Sequence, residues 1–552
     1  MAHADAIIVG AGLAGLTAAA ELGDRGKRVI ILDQEPRSFL GGQAFWSLGG
    51  LFMVDTPEQR RMGIKDSREL ALTDWMGSAQ FDRPEDAWPR KWAESYINFA
   101  AGDMRPWLHD MGLRWFPIVG WAERGGGFAD GHGNSVPRFH LTWGTGPGII
   151  EHFVRRCLEH EKTGLIQFHF RHQVDRIDME NGATKGVSGT VLANDTSARG
   201  QKTNREATGD FAYEAPSVIV TSGGIGGNFE MVRKVWPTKR LGLAPKDMIA
   251  GVPAHVDGRM IAISQDAGGH VINGDRMWHY TEGVKNWDPI WPAHGIRILP
   301  GPSSMWFDAR GNRLNPPALP GFDSVGTLRE ILKTGYDYSW FVLTQKVIKK
   351  EFALSGSEQN PDLTSGKWSE VLRQRLLSGS KATGPVEAFK EKGEDFVVAN
   401  TLSDLVTGMN EIASDAVIDE SHLRAQITAR DLQIDNPFSK DAQMMAIHAA
   451  RNYRGDRLLR TAKPHKFLDA ANGPLIAVKL HILTRKTLGG LHTNLDSQMI
   501  GADGKCVSGL FAAGEVAGFG GGGYHGYNAL EGTFLGGCIF SGRNAGRSKT
   551  IA

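Results

Sequence analysis

The segment that most constrains how this chain can fold is its start, which reads as strand, glycine-rich turn, helix and strand. Residues 6–9 (AIIV) predict a short buried strand, and residues 10–15 (GAGLAG) follow at once. Residues 16–22 predict a helix rich in small side chains, and residues 27–32 predict a second strand that ends at Asp33. This order is typical of a Rossmann-type unit that binds a dinucleotide.

Each residue type in this unit has a physical reason. Gly10 permits the tight turn, Gly12 lets a pyrophosphate approach the backbone, and Gly15 lets the helix pack closely on the strand. The N-terminus of the helix, where Ala14 lies, would then point free N–H groups and a positive dipole end at the phosphates. Asp33 can accept hydrogen bonds from a ribose hydroxyl pair. The unit alone does not distinguish NAD from FAD.

Further glycine-rich motifs occur at both ends of the chain. They are Gly41-Gly42-Gln43, Ser47-Leu48-Gly49-Gly50, Ser222-Gly223-Gly224, Asp257-Gly258-Arg259 and Gly514-Glu515. In this order the motifs resemble the fumarate reductase and succinate dehydrogenase flavoprotein superfamily, including its ketosteroid dehydrogenase branch. The resemblance implies FAD as the cofactor, and Gln43 stands where members with covalent flavin carry the attaching His. Non-covalent binding is therefore expected, and no metal site is predicted.

The resemblance also implies which residues contact FAD. They are expected to be Gly10, Gly12, Ala14, Gly15, Asp33, Gln34, Gly41, Gly42, Gln43, Ser47, Gly49, Gly50, Ser222, Gly223, Gly224, Asp257, Gly514, Glu515, Asn528 and Leu530.

The implied fold class is α/β with an α+β cap. A discontinuous Rossmann-type FAD-binding domain is expected over residues 1–269 and 473–552, with a cap or catalytic domain inserted over residues 270–472. Further elements are predicted from local patterns. Strands are predicted over 165–178 and 182–191, a polar surface loop over 194–208, and helices over 344–352, 385–392, 396–413 and 530–543.

The segment 520–532 (GGGGYHGYNALEG) supplies the main catalytic candidates, which are Tyr524, His525 and Tyr527. In the family the helix after this segment points its N-terminus at the flavin, where it stabilises negative charge. A phenol is a poor base at neutral pH unless a neighbour lowers its pKa, but it can also donate its O–H to a carbonyl. Weaker candidates from the cap are His279, Tyr280, Arg297, Tyr336 and Tyr338. Trp278, Trp287, Trp291, Trp306 and Trp340 either line an apolar cavity or belong to the core.

Two positions bear on the substrate. Fumarate-type members carry an Arg where Ala529 stands, and a His where this chain has Arg485 and Lys486. Arg485 and Lys486 remain candidates for anion binding or catalysis. The run from Lys486 to Leu491 (KTLGGL) resembles the ketosteroid dehydrogenase branch instead.

The predicted function is that of an FAD-dependent dehydrogenase or reductase acting on a carbon–carbon bond next to a carbonyl, with hydride passing between a substrate carbon and flavin N5. Reduction of a small unsaturated acid and a non-catalytic flavin-fold binding protein are the alternatives. A net charge of +1 gives no case for nucleic acid as a partner. Three scattered cysteines fit no haem or cluster motif, so a diffusible electron acceptor or donor and a cytoplasmic location are expected. No transmembrane segment is predicted, and the oligomeric state is left open.

Overall fold

The computed structural model describes residues 4–126, 133–377, 379–413 and 415–551. The strands are β1 Ala6–Val9, β2 Val29–Asp33, β3 Gly50–Phe52, β4 Phe139–Leu141, β5 Ile166–Phe170, β6 His172–Glu180, β7 Ala183–Leu192, β8 Ala207–Glu214, β9 Val218–Val220, β10 Ile249–Ala250, β11 Val271–Ile272, β12 Met277–Lys285, β13 Gly295–Leu299, β14 Met305–Asp308, β15 Tyr338–Thr344, β16 Ala353–Leu354, β17 Phe396–Ala399, β18 Leu475–Thr487, β19 Gly490–Leu491, β20 Gln498–Ile500 and β21 Cys506–Ala512.

The α-helices are α1 Leu13–Asp24, α2 Pro57–Arg61, α3 Arg68–Ala79, α4 Ala87–Ala101, α5 Met104–Asp110, α6 Thr145–Lys162, α7 Phe229–Lys234, α8 Thr238–Leu241, α9 Arg259–Asp266, α10 Ser324–Lys333, α11 Gln345–Glu351, α12 Pro361–Thr364, α13 Trp368–Val371, α14 Gly384–Lys392, α15 Leu402–Ile412, α16 Glu420–Asp431, α17 Ala442–Asn452, α18 Arg454–Leu459 and α19 Thr533–Arg547. No helix in these described ranges is long and apolar enough to cross a membrane.

The predicted N-terminal unit is present as β1, α1 and β2. All four residues of β1 are buried, and β1 pairs in parallel with β2 on one side and β9 on the other. A continuous apolar strand of this kind belongs in the interior of a parallel sheet that is covered on both faces. Helix α1 lies so close to this turn that a Cβ on Gly15 would stand 2.1 Å from the carbonyl oxygen of Gly10.

A nine-stranded sheet is built around this unit. Its main path runs β5-β2-β1-β9-β21-β7-β6, with β20 paired to β21 and β8 paired to β7. The strands β5, β2, β1, β9 and β21 pair in parallel, so their carboxyl ends meet at one edge. Ligands of open α/β sheets bind beyond that edge.

An eight-stranded sheet forms the second layer, along the path β14-β15-β18-β12-β13-β16. Its central strand, β18, pairs with β15 and β17 through its first half and with β12 and β10 through its second half. The domain boundaries at 269/270 and 472/473 stay predictions. By sheet membership, β18 groups with the inserted segment, although it follows residue 472.

Three local predictions differ from the structure. The helix predicted over 396–413 is wrong at its start, because residues 396–399 form β17 and pair with β18 before α15 begins. The strand predicted over 165–178 is two strands, broken at Arg171, which has a positive φ of 61°. The last helix starts at Thr533, after Gly532 with a φ of 93°, and not at Leu530.

Candidate active site

A first cavity lies at the carboxyl edge of the nine-stranded sheet, and we call it the dinucleotide cavity. Many of the residues predicted to contact FAD line it together. They are Gly10, Gly12, Ala14, Asp33, Gln34, Gly41, Gly42, Gln43, Ser222, Gly223, Asp257, Gly514 and Glu515. Residues from six separate parts of the chain therefore meet around one space.

The carboxylate of Asp33 is held by the backbone at the wall of this cavity. Its Oδ2 accepts a hydrogen bond from the N–H of Ala11 at 2.8 Å, and its Oδ1 accepts one from the N–H of Glu35 at 2.8 Å. Burial raises the pKa of Asp33, whereas the two backbone donors act in the opposite direction. The carboxylate is thus fixed in position before any ligand arrives.

Gly12 shows whether this cavity fits a dinucleotide. A Cβ at Gly12 would meet no protein atom nearer than the carbonyl oxygen of Thr221 at 4.0 Å, and its φ of −76° suits any residue. Protein packing therefore does not require glycine here, but a ligand that touches the backbone does. No side chain caps α1, so its first N–H groups face the cavity. The residues fit a dinucleotide pyrophosphate.

A second cavity, the central cavity, adjoins the first. Both are lined by Gln43, Ala44, Glu515 and Cys538, so the two cavities adjoin at these residues. The central cavity is further lined by Ser47, Gly49, Gly50, Tyr280, Arg297, Arg485, Lys486, Glu531, Gly532 and Phe534, among others. The first turn of α19 therefore faces it.

Polar side chains are connected across the junction of these two cavities. The amide of Gln43 donates to Glu515 and accepts from Nζ of Lys486 at 3.0 Å. The other carboxylate oxygen of Glu515 accepts from the N–H of Thr487 at 2.9 Å. Burial lowers the pKa of Lys486, and nearby Arg485 lowers it further, whereas Glu515 raises it. Two basic side chains, Arg485 and Lys486, thus lie at the end of β18, and Nζ of Lys486 is 3.8 Å from the carboxylate of Glu515.

A buried ion cluster forms one wall of the central cavity. The guanidinium of Arg297 donates to Glu531 at 2.7 Å and to Glu123 at 2.9 Å, and its Nε lies 3.8 Å from Glu282. The hydroxyl of Tyr280 donates to Glu531 at 2.8 Å, and the guanidinium of Arg297 lies 3.7 Å from the centre of the Tyr280 ring. One cation therefore serves three carboxylates.

This imbalance of charge favours retention of a proton. Burial raises the pKa of Glu123 to about 8, against the attraction of Arg297 and with support from the carboxylates of Glu531 and Glu282. Burial also raises the pKa of Tyr280 well above its ordinary value. The Tyr280 hydroxyl donates to Glu531, so a proton can move between this phenol and that carboxylate at the wall of the cavity.

The raised pKa of Glu123 predicts a pH-dependent stability. A carboxyl whose folded pKa of about 8 exceeds its ordinary 4.5 stabilises the protein below 4.5, and this contribution is lost as pH rises through 8. We expect Glu123→Gln, which keeps a neutral group of the same shape, to lose less Tm between pH 6 and pH 9 than the native chain. Thermal unfolding at both pH values measures it, with the exposed Glu206→Gln as control. An equal loss of Tm in both proteins would contradict the assignment.

A third cavity, the apolar cavity, opens from the central one. The two share Leu48, Ala122, Phe139 and Leu299, and the apolar cavity is also lined by Phe116, Ile118, Val119, Trp121, Leu141, Phe352 and Leu363, among others. Its volume is about 350 Å³, against about 110 Å³ for the central cavity. The larger of these two spaces therefore adjoins the central cavity and has mainly hydrophobic walls.

The three main catalytic candidates lie elsewhere. Tyr524 is fully buried and donates its hydroxyl to the carbonyl oxygen of Thr533 at 2.7 Å. His525 stacks on Trp75 and contacts the Thr533 hydroxyl at 2.8 Å, and Tyr527 donates to Asp82 at 3.0 Å. Among the described residues that line the three cavities, none of these three is present. Their catalytic role stays a prediction, and their placement weighs against it.

Tyr524→Phe tests this placement. We expect the substitution to cost about 1 kcal/mol of stability, because one buried hydrogen bond is lost, and to leave kcat within about twofold of the native value. Thermal unfolding and steady-state rates measure the two effects. A loss of kcat by about 100-fold at unchanged stability would restore Tyr524 as a catalytic group.

The other predicted site residues are also divided between residues that line a cavity and residues that pack within the protein. Asn528 donates to Ser78 and Gln80, Leu530 is in the core, and Gly15 and Gly224 pack against protein atoms. Among the cap candidates, Tyr280 and Arg297 line the central cavity. The remaining cap side chains, His279, Tyr336, Tyr338, Trp278, Trp287, Trp291, Trp306 and Trp340, are absent from the described lining of all three cavities.

Sequence reasoning missed Glu531 and Glu123. Glu531 stands directly before Gly532 at the start of the last helix, and this position was the available signal. Nothing in the sequence around Glu123 marks it as buried.

Comparison with known proteins agrees with this geometry. The family described as FAD binding domain matches residues 5–535. The chain is 61% identical over 544 residues to a KsdD-like steroid dehydrogenase of Mycobacterium tuberculosis, which covers 99% of this chain and 95% of the relative. The chain belongs to this family of FAD-dependent oxidoreductases. The predicted family, fold class and cofactor FAD are thereby confirmed.

Two further likenesses extend over nearly the whole chain. A KsdD-like steroid dehydrogenase of Mycolicibacterium smegmatis is 60% identical over 535 residues, covering 97% of this chain and 96% of the relative. The 3-ketosteroid Δ1-dehydrogenase of Sterolibacterium denitrificans, solved in complex with 1,4-androstadiene-3,17-dione, has a TM-score of 0.66 at 15% identity and covers 99% of each chain. The latter similarity shows that this FAD-dependent oxidoreductase shares that fold.

Proposed function

We propose that this FAD-dependent oxidoreductase is a dehydrogenase of ketosteroid-like substrates, acting on a carbon–carbon bond next to the ring carbonyl. The arrangement of the three cavities, each of which adjoins the next, is the observation that carries the proposal. A dinucleotide cavity leads to a central cavity with an ion cluster, which leads to an apolar cavity large enough for fused rings. The names of the 60–61% identical relatives support the same substrate class.

The ion cluster supplies the proton chemistry. When bound, FAD accepts or gives a hydride at N5. Because the pKa of Tyr280 is raised, its phenol stays protonated, so the α-proton of the substrate goes to the Tyr280 oxygen as the Tyr280 hydroxyl proton passes to Glu531. Arg297 holds Glu531 in place and compensates its charge. Removal of the α-proton then needs no further base that is exposed to solvent.

The basic side chains at the end of β18 would stabilise the negative charge that develops on the substrate. Arg485 and Lys486 line the central cavity, where a hydrogen bond to the substrate carbonyl would stabilise the enolate that forms as the α-proton leaves. Reduction of a small unsaturated acid has less support, because Ala529, at the position of the fumarate-type Arg, is no part of this wall. The apolar cavity would also be left unused by a small dicarboxylate.

The test uses the purified holoprotein without oxygen. Saturated and Δ4-unsaturated 3-ketosteroids are expected to bleach the 450 nm flavin absorbance, and fumarate is expected to leave the dithionite-reduced protein reduced. Rapid reoxidation by fumarate, with no effect of any ketosteroid, would overturn the proposal.

Non-covalent binding of FAD is part of the proposal, since an amide such as that of Gln43 offers no nucleophile for attachment to the flavin. Flavin is expected in the supernatant after acid precipitation, and flavin that stays in the pellet would refute this part. A diffusible electron acceptor or donor and a cytoplasmic location stay predictions.

A further inference from the structure

The far end of the apolar cavity is strongly cationic. Its described lining includes five cationic side chains and a single carboxylate, which are Lys349, Lys350, Arg375, Lys381, Arg460 and Asp456. The residues shared with the central cavity are all uncharged. The lysines come from α11 and from the residues before α14, which contribute nothing to the central cavity. The cationic side chains thus line the apolar cavity and not the central one, although Arg460 donates to the carbonyl of Leu299, a residue that both cavities share.

Two of these charged groups are neutralised within the protein. Asp456 pairs with Arg124 at 2.6 Å, and Arg375 pairs with Asp362 at 2.6 Å. The only carboxylate among the described lining residues, that of Asp456, is therefore paired with Arg124, which does not line the cavity. The lining side chains together carry an excess of positive charge.

Three cations have no such partner. Lys349 donates to the carbonyl of Gly379, Lys350 to that of Leu458, and Arg460 to that of Leu299 at 2.7 Å. Within the described ranges, none of the three has a carboxylate oxygen inside 4.0 Å. Carbonyl oxygens satisfy N–H groups but supply no negative charge of their own. Burial lowers the pKa of Lys350, and the like charges of Arg451 and Lys349 lower it further, whereas the carboxylate of Glu351 acts in the opposite direction. An anion at this place would relieve that repulsion.

We infer that the apolar cavity takes a ring ketone that carries an acidic group, a carboxylate or a sulfate or phosphate ester, at the end remote from its reacting carbonyl. This inference rests on the proposed function for the identity of the ring, but the cationic end recognises the acid whatever reaction follows. Lys349 is exposed, so the acidic group stays at the mouth and keeps part of its hydration. The cost of burying a charge is thereby avoided.

The test compares steroids that differ only at C17 of the same 3-oxo-4-ene ring: the 17β-carboxylate, its neutral methyl ester and the 17β-sulfate. Equilibrium dialysis with the holoprotein is expected to give a Kd about tenfold lower for the carboxylate than for the ester. The advantage is expected to shrink as salt rises from 0.05 to 0.5 M, because these cations are partly exposed. The sulfate arm shows whether the site selects carboxylates or takes either anion.

Variants locate the effect. In Lys349→Gln/Lys350→Gln the preference for acid over ester is expected to fall towards one. Lys346→Gln is the matched control on the same helix, since Lys346 is exposed and contacts Asn472 instead of the cavity. Equal Kd values for acid and ester, or a preference that survives the double substitution, would overturn the inference. If the ester bleaches the flavin but the acid binds no more tightly than the ester, the acidic-group inference is refuted and the proposed reaction stands. If the acid binds more tightly but no steroid bleaches the flavin, the proposed reaction is refuted and the acidic-group inference stands.

Discussion

Tyr280→Phe is expected to lower kcat by at least about 100-fold while FAD stays bound, because the α-proton loses its route to Glu531. Tyr280 lines the central cavity, and its phenol hydroxyl donates to the carboxylate of Glu531 at 2.8 Å. Phe keeps the ring under the guanidinium of Arg297. The flavin spectrum and thermal unfolding report on folding, and stopped-flow bleaching reports on the reductive step.

Tyr338→Phe is the matched control. Tyr338 lies in the same eight-stranded sheet and is equally buried, but its hydroxyl donates to Asp415 at 3.2 Å, away from the cavities. A similar loss of kcat in both variants would show that the sheet, and not the proton route, is sensitive. A Tyr280→Phe protein that bleaches at the native rate would remove Tyr280 from the mechanism.

Gly12→Val is expected to give a folded, colourless protein whose Kd for FAD is raised by more than about 100-fold. The backbone at Gly12 suits a branched side chain, and the nearest protein atom to its Cβ is 4.0 Å away. The new side chain would occupy the place where the pyrophosphate meets α1. Flavin titration of the apoprotein measures the Kd, and far-UV circular dichroism confirms folding.

Substitutions at two other glycines serve as controls for Gly12→Val. Gly209 in β8 has no atom within 4 Å of its Cβ, so Gly209→Val is expected to bind FAD normally. Gly15→Val is expected to impair folding itself, because its Cβ would stand 2.1 Å from the Gly10 carbonyl oxygen. A Gly12→Val protein that retains full colour would show that the phosphates lie elsewhere.

The dinucleotide cavity was predictable from sequence because its rules are local. A strand followed by a glycine-rich turn sets the position of Gly10 and Gly12, and the parallel pairing of β1, β2 and β9 brings distant motifs to one edge. Family membership and fold followed from the same motifs.

The ion cluster was predictable only in part: Tyr280 and Arg297 were candidates, but nothing in the sequence joined them to Glu123 and Glu531. Glu123, Arg297 and Glu531 are far apart in the chain, and a glutamate read from sequence alone is expected to face solvent. Only the packing of β12, β13 and the start of α19 around one space buries them. Tertiary pairing also explains the wrong helix at 396–399, where the strand β17 completes an edge of β18.

The arrangement of the cavities has a kinetic consequence. The dinucleotide cavity and the apolar cavity share no described lining residue, and the central cavity joins them. An electron acceptor that enters through the central cavity uses the same space as the steroid, so it can reach the reacting centre only after the product has left. Initial rates at several fixed acceptor concentrations should give parallel double-reciprocal lines, and each of the two substrates should inhibit at high concentration by occupying the passage in the wrong half of the cycle. Intersecting lines would mean that the acceptor has a separate entrance to the flavin.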